Sequence, residues 1–200
     1  MLSEHNDTTN IIVALDYDNE KEALRMAKIL DPSLCILKVG LELFVSSGPK
    51  IVHELHNLNY KVFLDLKFHD ITSTVLKSSL AAAELGVWMI NVHSSGGRSM
   101  MREVSKMIKE NNFSTLVTGV TVLTSLNDDE LNEIGYSRKT KEQVMRMAKL
   151  CSDSNLNGIV CSAHEAKYIK SKFTSNFVCV CPGIRNVIDN DNDQKRVMSP

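Results

Sequence analysis

The residues with the most chemical promise lie in one short run, Phe63-Leu64-Asp65-Leu66-Lys67-Phe68-His69-Asp70-Ile71. The run reads as a strand. On a strand, Asp65 and Lys67 are two apart and project from one face, while Leu64, Leu66 and Phe68 take the other. Burying a carboxylate and an ammonium is costly unless each finds a partner. Asp70, at the turn that follows, adds a carboxylate, and Lys38, at the end of the preceding apolar run, adds an ammonium. An isolated Asp–Lys pair would read as an internal salt bridge and nothing more. Four charges alternating in sign on adjacent strand ends read instead as a site, in which each carboxylate favours the charged form of the lysine beside it. A fixed ammonium of this kind is suited to meeting negative charge that develops on a bound molecule, and to quenching it with a proton.

Such an array needs rigid supports. Seven β-branched runs are expected as strands: Ile11–Asp16, Leu34–Val39, Lys61–Lys67, Val87–His93, Leu116–Leu123, Gly158–Ser162 and Phe177–Cys181. Most are apolar on both faces, as in a parallel sheet covered on both sides. Helical patterns separate them. Asp18 or Asn19 caps the first, Glu20 and Glu22 suit its positive end, and Asp31-Pro32 stops it. After Asp70 a second has its inward positions at Val75/Leu76, Ser79/Leu80 and Ala82/Ala83, and Gly86 closes it. Met100, Met101, Val104, Met107 and Ile108 form a further stripe, which reads as core.

Strand and helix alternate roughly every 20–30 residues, with one longer gap between Leu123 and Gly158, a rhythm that implies parallel strands with right-handed crossovers. An open doubly wound sheet and a (β/α)8 barrel both fit. No GxGxxG follows the first strand, where a dinucleotide fold would carry it. Polar residues sit instead at many strand ends: Asp16, Lys38, Asp65, Lys67, His93, Thr124 and Arg185. A barrel gathers those ends around one mouth, where barrel enzymes do chemistry. The expectation is an α/β chain forming one (β/α)8 TIM-barrel domain over residues 1–200, short of its last strand and helix.

Composition narrows the partners. A net charge of −1 with no long Lys/Arg run argues against nucleic-acid or membrane-surface binding. The polar first ten residues carry no secretory signal, and the longest apolar stretch is broken by Glu84. Five scattered cysteines, mostly in apolar runs, read as reduced thiols of a cytoplasmic protein. Cys179 and Cys181 are a cramped pair lacking companions, so no metal site is expected.

Taken together, several segments resemble the orotidine 5′-phosphate decarboxylases of bacterial type. These are Asp65-x-Lys67-x-x-Asp70-Ile71, Ala14-Leu15-Asp16, Leu37-Lys38-Val39-Gly40, Val92-His93 before Gly96-Gly97, Val120 to Ser125, and Pro182-Gly183-Ile184-Arg185. Each segment is weak alone; their order and spacing from Ile11 to Arg196 are specific. The resemblance implies cofactor-free conversion of orotidine 5′-monophosphate to uridine 5′-monophosphate in pyrimidine synthesis. It implies that Asp16 and Lys38 bind ribose hydroxyls, that Lys38 also holds Asp65, that Asp65 faces the substrate carboxylate, and that Lys67 protonates C6. It implies a homodimer in which Asp70, with Ile71 and Thr74, reaches the partner's site. Thr124, Ser125 and Pro182 would meet the pyrimidine. Gly183 would let the backbone approach the phosphate, over which Arg185 and Gln194 fold.

Two features depart from that pattern. Thr72 stands where a proline commonly follows the Asp-Ile pair, and the expected final strand with its Gly-Arg phosphate grip is absent. The rival readings are a magnesium-dependent sister barrel acting on sugar phosphates, and a non-catalytic barrel remnant. His93-Ser94-Ser95 carries no added carboxylate for a metal. His93 itself is expected to be structural, and His69 to face solvent at a turn.

Overall fold

A computed structural model describes residues 11–184 of the chain, and these divide into two compact units: residues 11–66 with 81–90, and residues 67–80 with 91–184. Arg185 and Gln194 lie outside the described residues.

The first unit begins with β1 (Ile12–Leu15), α1 (Glu20–Ala27), β2 (Ile36–Gly40), α2 (Leu41–Ser47) and α3 (Lys50–Asn57), and continues into β3 (Val62–Phe68). The strands pair in parallel, with Ala14 opposite Lys38 and Gly40 opposite Asp65. Leu15, Leu37, Val39, Leu43, Ile51, Val52, Leu55, Val62 and Leu64 make a core closed to solvent. Asn19 caps α1 as expected, its side chain accepting the Glu22 N–H at 3.0 Å. The helix ends at Ala27, before Asp31. The Tyr60 hydroxyl reaches the carbonyls of Ala27 and Leu30, 2.9 and 2.6 Å away, and so fixes the exit from the last turn. Asp31 turns the chain on its own account, accepting the Ser33 N–H and hydroxyl at 2.8 and 2.7 Å.

Three elements pass between the units: β3, whose Lys67 and Phe68 belong to the second, and the two that follow it. α4 (Thr72–Glu84) is followed by Gly86 at φ +77°, the left-handed residue that the sequence places beyond its end. β4 (Met89–His93) is entered through Trp88, whose N–H donates to the Val62 carbonyl at 2.9 Å.

The second unit continues with α5 (Gly97–Glu110), β5 (Leu116–Val120), α6 (Asp128–Glu133), α7 (Thr140–Ser152), β6 (Gly158–Val160), α8 (Ala163–Lys170) and β7 (Val178–Val180). All five apolar positions foreseen on α5 are buried. β5, β6 and β7 pair in parallel, and strand order follows chain order from β1 to β7. The long gap before β6 holds two helices. Asn127 and Glu130 box the start of α6, and α7 buries Val144, Met147, Ala148 and Cys151. Gly119 lets α7 approach β5 closely, because a Cβ there would overlap the Cys151 thiol.

Candidate active site

Three of the expected site residues meet in the first unit. Asp16 directly follows β1, Lys38 lies on β2, and Asp65 lies on β3. Register sets Lys38 opposite Phe63, two positions short of Asp65. That offset is about 6–7 Å along a strand, a distance the four-carbon lysine stem can span. Lys38 Nζ accordingly lies 3.1 Å from Asp16 Oδ1 and 3.5 Å from Asp65 Oδ2. The Lys38 and Asp65 side chains are 19% and 11% exposed, whereas Asp16 is 65% exposed. One ammonium therefore serves two carboxylates of unequal exposure. The inner carboxylate is held within the protein and the outer one is left accessible to a polar ligand.

The second unit carries Lys67, Asp70, Ile71 and Thr74. Lys67 departs from the extended backbone assumed for it: its φ is +51°. The two-residue alternation of β3 therefore stops at Lys67, and a shared face with Asp65 no longer follows from strand geometry alone. The Lys67 N–H donates to Asn91 Oδ1 at 2.7 Å. Asp70 is exposed, and its Oδ1 accepts the Ile71 N–H at 2.6 Å. The Ile71 carbonyl takes the N–H groups of Thr74 and Val75 at 3.0 and 3.1 Å, which starts α4. Asp70, Ile71 and Thr74 are all exposed.

Thr124 and Ser125 occupy a half-buried turn after β5. Pro182 and Gly183 follow β7, also half-buried, with Gly183 at φ +78°, a conformation that suits glycine. Ser94, at the end of β4, is buried with its hydroxyl donating to the Val120 carbonyl at 2.7 Å. Among the described residues, no group of three or more His, Cys, Asp or Glu side chains is disposed to hold a metal ion.

Two features escaped the sequence reading. Asn91 is fully buried on β4, and the available signal was an amide in the otherwise apolar run Met89-Ile90-Asn91-Val92. His69 is exposed at its turn, yet its ring also packs on that of His93, with centroids 5.0 Å apart and planes tilted by 32°.

Residues 9–200 match the model of the orotidine 5′-phosphate decarboxylase / HUMPS family. The chain belongs to this family. It is 49% identical over 191 residues to the orotidine 5′-phosphate decarboxylase of Vibrio atlanticus, covering 95% of this chain and 83% of that one. Identity to the same-named protein of Neisseria meningitidis serogroup A is 47% over 193 residues, or 96% of this chain and 78% of its relative. The crystal structure of orotidine 5′-phosphate decarboxylase from Lactobacillus acidophilus superposes with a TM-score of 0.81 at 36% identity, over 88% of this chain and 81% of that one. The Methanocaldococcus jannaschii orotidine 5′-monophosphate decarboxylase, complexed with the inhibitor BMP, shares the fold at 22% identity and a TM-score of 0.73, over 88% of this chain and 78% of that one. The family's fold class is the (β/α)8 TIM barrel, and the described residues hold seven of its strands.

Proposed function

We propose that this protein decarboxylates orotidine 5′-monophosphate to uridine 5′-monophosphate, a step of pyrimidine biosynthesis. The observation that carries the reading is 47–49% identity, over 95% or more of the chain, to proteins named for that activity. Within a family model that also spans HUMPS members, identity of this extent favours the decarboxylase. The end of β4 favours it too: Ser94 is spent on a backbone carbonyl, and His93-Ser94-Ser95 offers no carboxylate to a magnesium ion.

In this reading the bond from C6 to the carboxylate breaks, its electron pair stays on C6, and CO2 leaves. The Lys67 ammonium meets that charge and then transfers a proton to C6. Enzymes lower such barriers by ~8–23 kcal/mol, and with no delocalising ring position the carbanion needs the upper part of that range. Asp65 faces the departing carboxylate, held there by Lys38, and the 3.5 Å contact supports that assignment. Asp16 and Lys38 take the ribose hydroxyls. Thr124, Ser125 and Pro182 take the pyrimidine, and Gly183, Arg185 and Gln194 the phosphate, whose binding energy helps to order the site.

The proposed assembly is a homodimer in the cytoplasm. Exposure of Asp70, Ile71 and Thr74 at the head of α4 supports a partner-facing role for all three. No helix among the described residues is long and apolar enough to cross a membrane.

The test is chromatographic detection of uridine 5′-monophosphate from orotidine 5′-monophosphate, with and without a chelator. Chelator-insensitive turnover is expected. Turnover of a sugar phosphate that requires magnesium, with none of orotidine 5′-monophosphate, would reverse the assignment.

A further inference from the structure

A lysine at φ +51° needs explaining. The left-handed region brings Cβ too close to the following carbonyl, costing roughly 1–2 kcal/mol for a residue other than glycine. Asparagine visits it more readily, and the three other such non-glycine residues among the described residues, at 59, 112 and 155, are all asparagines. Lysine has no such affinity for it. A strained backbone of this kind persists only where its surroundings over-determine it.

The surroundings here come from β4. Asn91, with no exposed surface, accepts the Lys67 N–H at 2.7 Å. Two residues on, His93 lies on the same face of the strand, and its ring packs against that of His69, itself two residues beyond Lys67. β4 thus grips the end of β3 on both sides of Phe68. Beyond it, the Asp70 carboxylate takes the Ile71 N–H and the Ile71 carbonyl takes N–H groups of the first turn of α4, so the backbone is specified from Lys67 into the helix.

We propose that Asn91 is a positioning residue for the reaction: by holding the Lys67 backbone in its left-handed conformation, it aims the ammonium. The inference rests on the reading of Lys67 as proton donor. A lysine side chain leaves along its Cα–Cβ bond, and that direction swings when φ relaxes from left-handed to extended. Misplacing a reacting group by about 1 Å can cost about a hundredfold in rate. Asn91 touches neither substrate nor proton in this account, and it acts through Lys67.

The experiment compares Asn91→Ala in the parent enzyme and in a Lys67→Ala background, reading kcat, affinity for uridine 5′-monophosphate and melting temperature. In the parent background, kcat is expected to fall about 10- to 100-fold with nucleotide affinity within about twofold. In the Lys67→Ala background the same change should cost no further turnover. Retained kcat in Asn91→Ala overturns the proposal. So does a loss of affinity in step with kcat, or an added loss in the Lys67→Ala background, because either marks a general structural role. If the alanine protein does not fold, Asn91→Leu keeps the shape without an acceptor oxygen and is judged by the same outcomes. Full turnover in Lys67→Ala alone would instead sink the proton-donor reading, separately from the role of Asn91.

Discussion

Lys38 Nζ stands 3.5 Å from Asp65 Oδ2, and both side chains are largely withdrawn from solvent. Exposed ion pairs contribute about 0–1 kcal/mol, but breaking a withdrawn pair by deleting one member leaves an uncompensated charge. Asp16, the third member, is far more exposed, so water can replace its partner. The consequences of deletion are therefore unequal around one ammonium.

Lys38→Met is expected to destabilise the protein by about 3 kcal/mol, and Asp16→Asn by less than about 1 kcal/mol. Lys38→Met combined with Asp65→Leu should recover much of the loss, because no charge is left unpaired. Denaturant titration of the three proteins checks the order. Equal midpoints for Lys38→Met and the parent would mean that water screens the pair fully.

If Lys67 is the proton donor proposed for it, Lys67→Ala should lower kcat by at least about 10⁴-fold, because a donor and a charge stabiliser would be lost together. Its melting temperature should not fall. Single-turnover measurement with excess enzyme separates this loss of chemistry from slow product release.

Asp70→Ala and Lys67→Ala should complement each other if Asp70 serves the partner's site. Random pairing of the two inactive proteins makes half the dimers mixed, each with one intact site, so about a quarter of parental activity should return. Mixtures that stay inactive after subunit exchange would place Asp70 in the site of its own subunit.

Gly119→Ala should destabilise by about 1–3 kcal/mol through overpacking against Cys151, and Cys151→Ala in the same chain should restore part of that. Cys151 also supplies a pH dependence. Burial pushes its thiol up from the usual value of 9.0 to about 12. Below pH 9 both folded and unfolded chains keep the proton and the contribution is whole. Between pH 9 and about 12 only the unfolded chain ionises, so stability drains away as pH rises. Cys151→Ala should show a flatter decline over that window by thermal melting.

Most of the strands were legible because both faces are largely buried, which leaves near-continuous apolar runs; β1 and β7, which are less buried, were legible from composition. Each of the seven strands falls within its expected segment or one residue beyond it. The α5 stripe and the Asn19 cap follow from periodicity and local hydrogen bonding, which short stretches encode. The Lys38–Asp65 pair was legible from charge economy, since withdrawn charges must find each other, whereas Asp16 was brought to Lys38 only by the family resemblance. What stayed hidden depended on contacts between distant segments. Nothing in a lysine announces a left-handed φ, and the Asn91 contact needs the register of one strand against the next. Both helices of the Leu123–Gly158 gap did leave traces, in Asn127-x-x-Glu130 and in the spacing of Val144, Met147, Ala148 and Cys151.

The backbone at position 67 would settle more comfortably under another amino acid. Glycine meets no Cβ clash at φ +51°, so Lys67→Gly is expected to melt higher than Lys67→Ala. Any gain over the parent measures what the fold gives up to keep an amine there. Drift toward greater robustness at this position would therefore lead away from the chemistry proposed for its amine, so reactivity and durability pull this one residue in opposite directions.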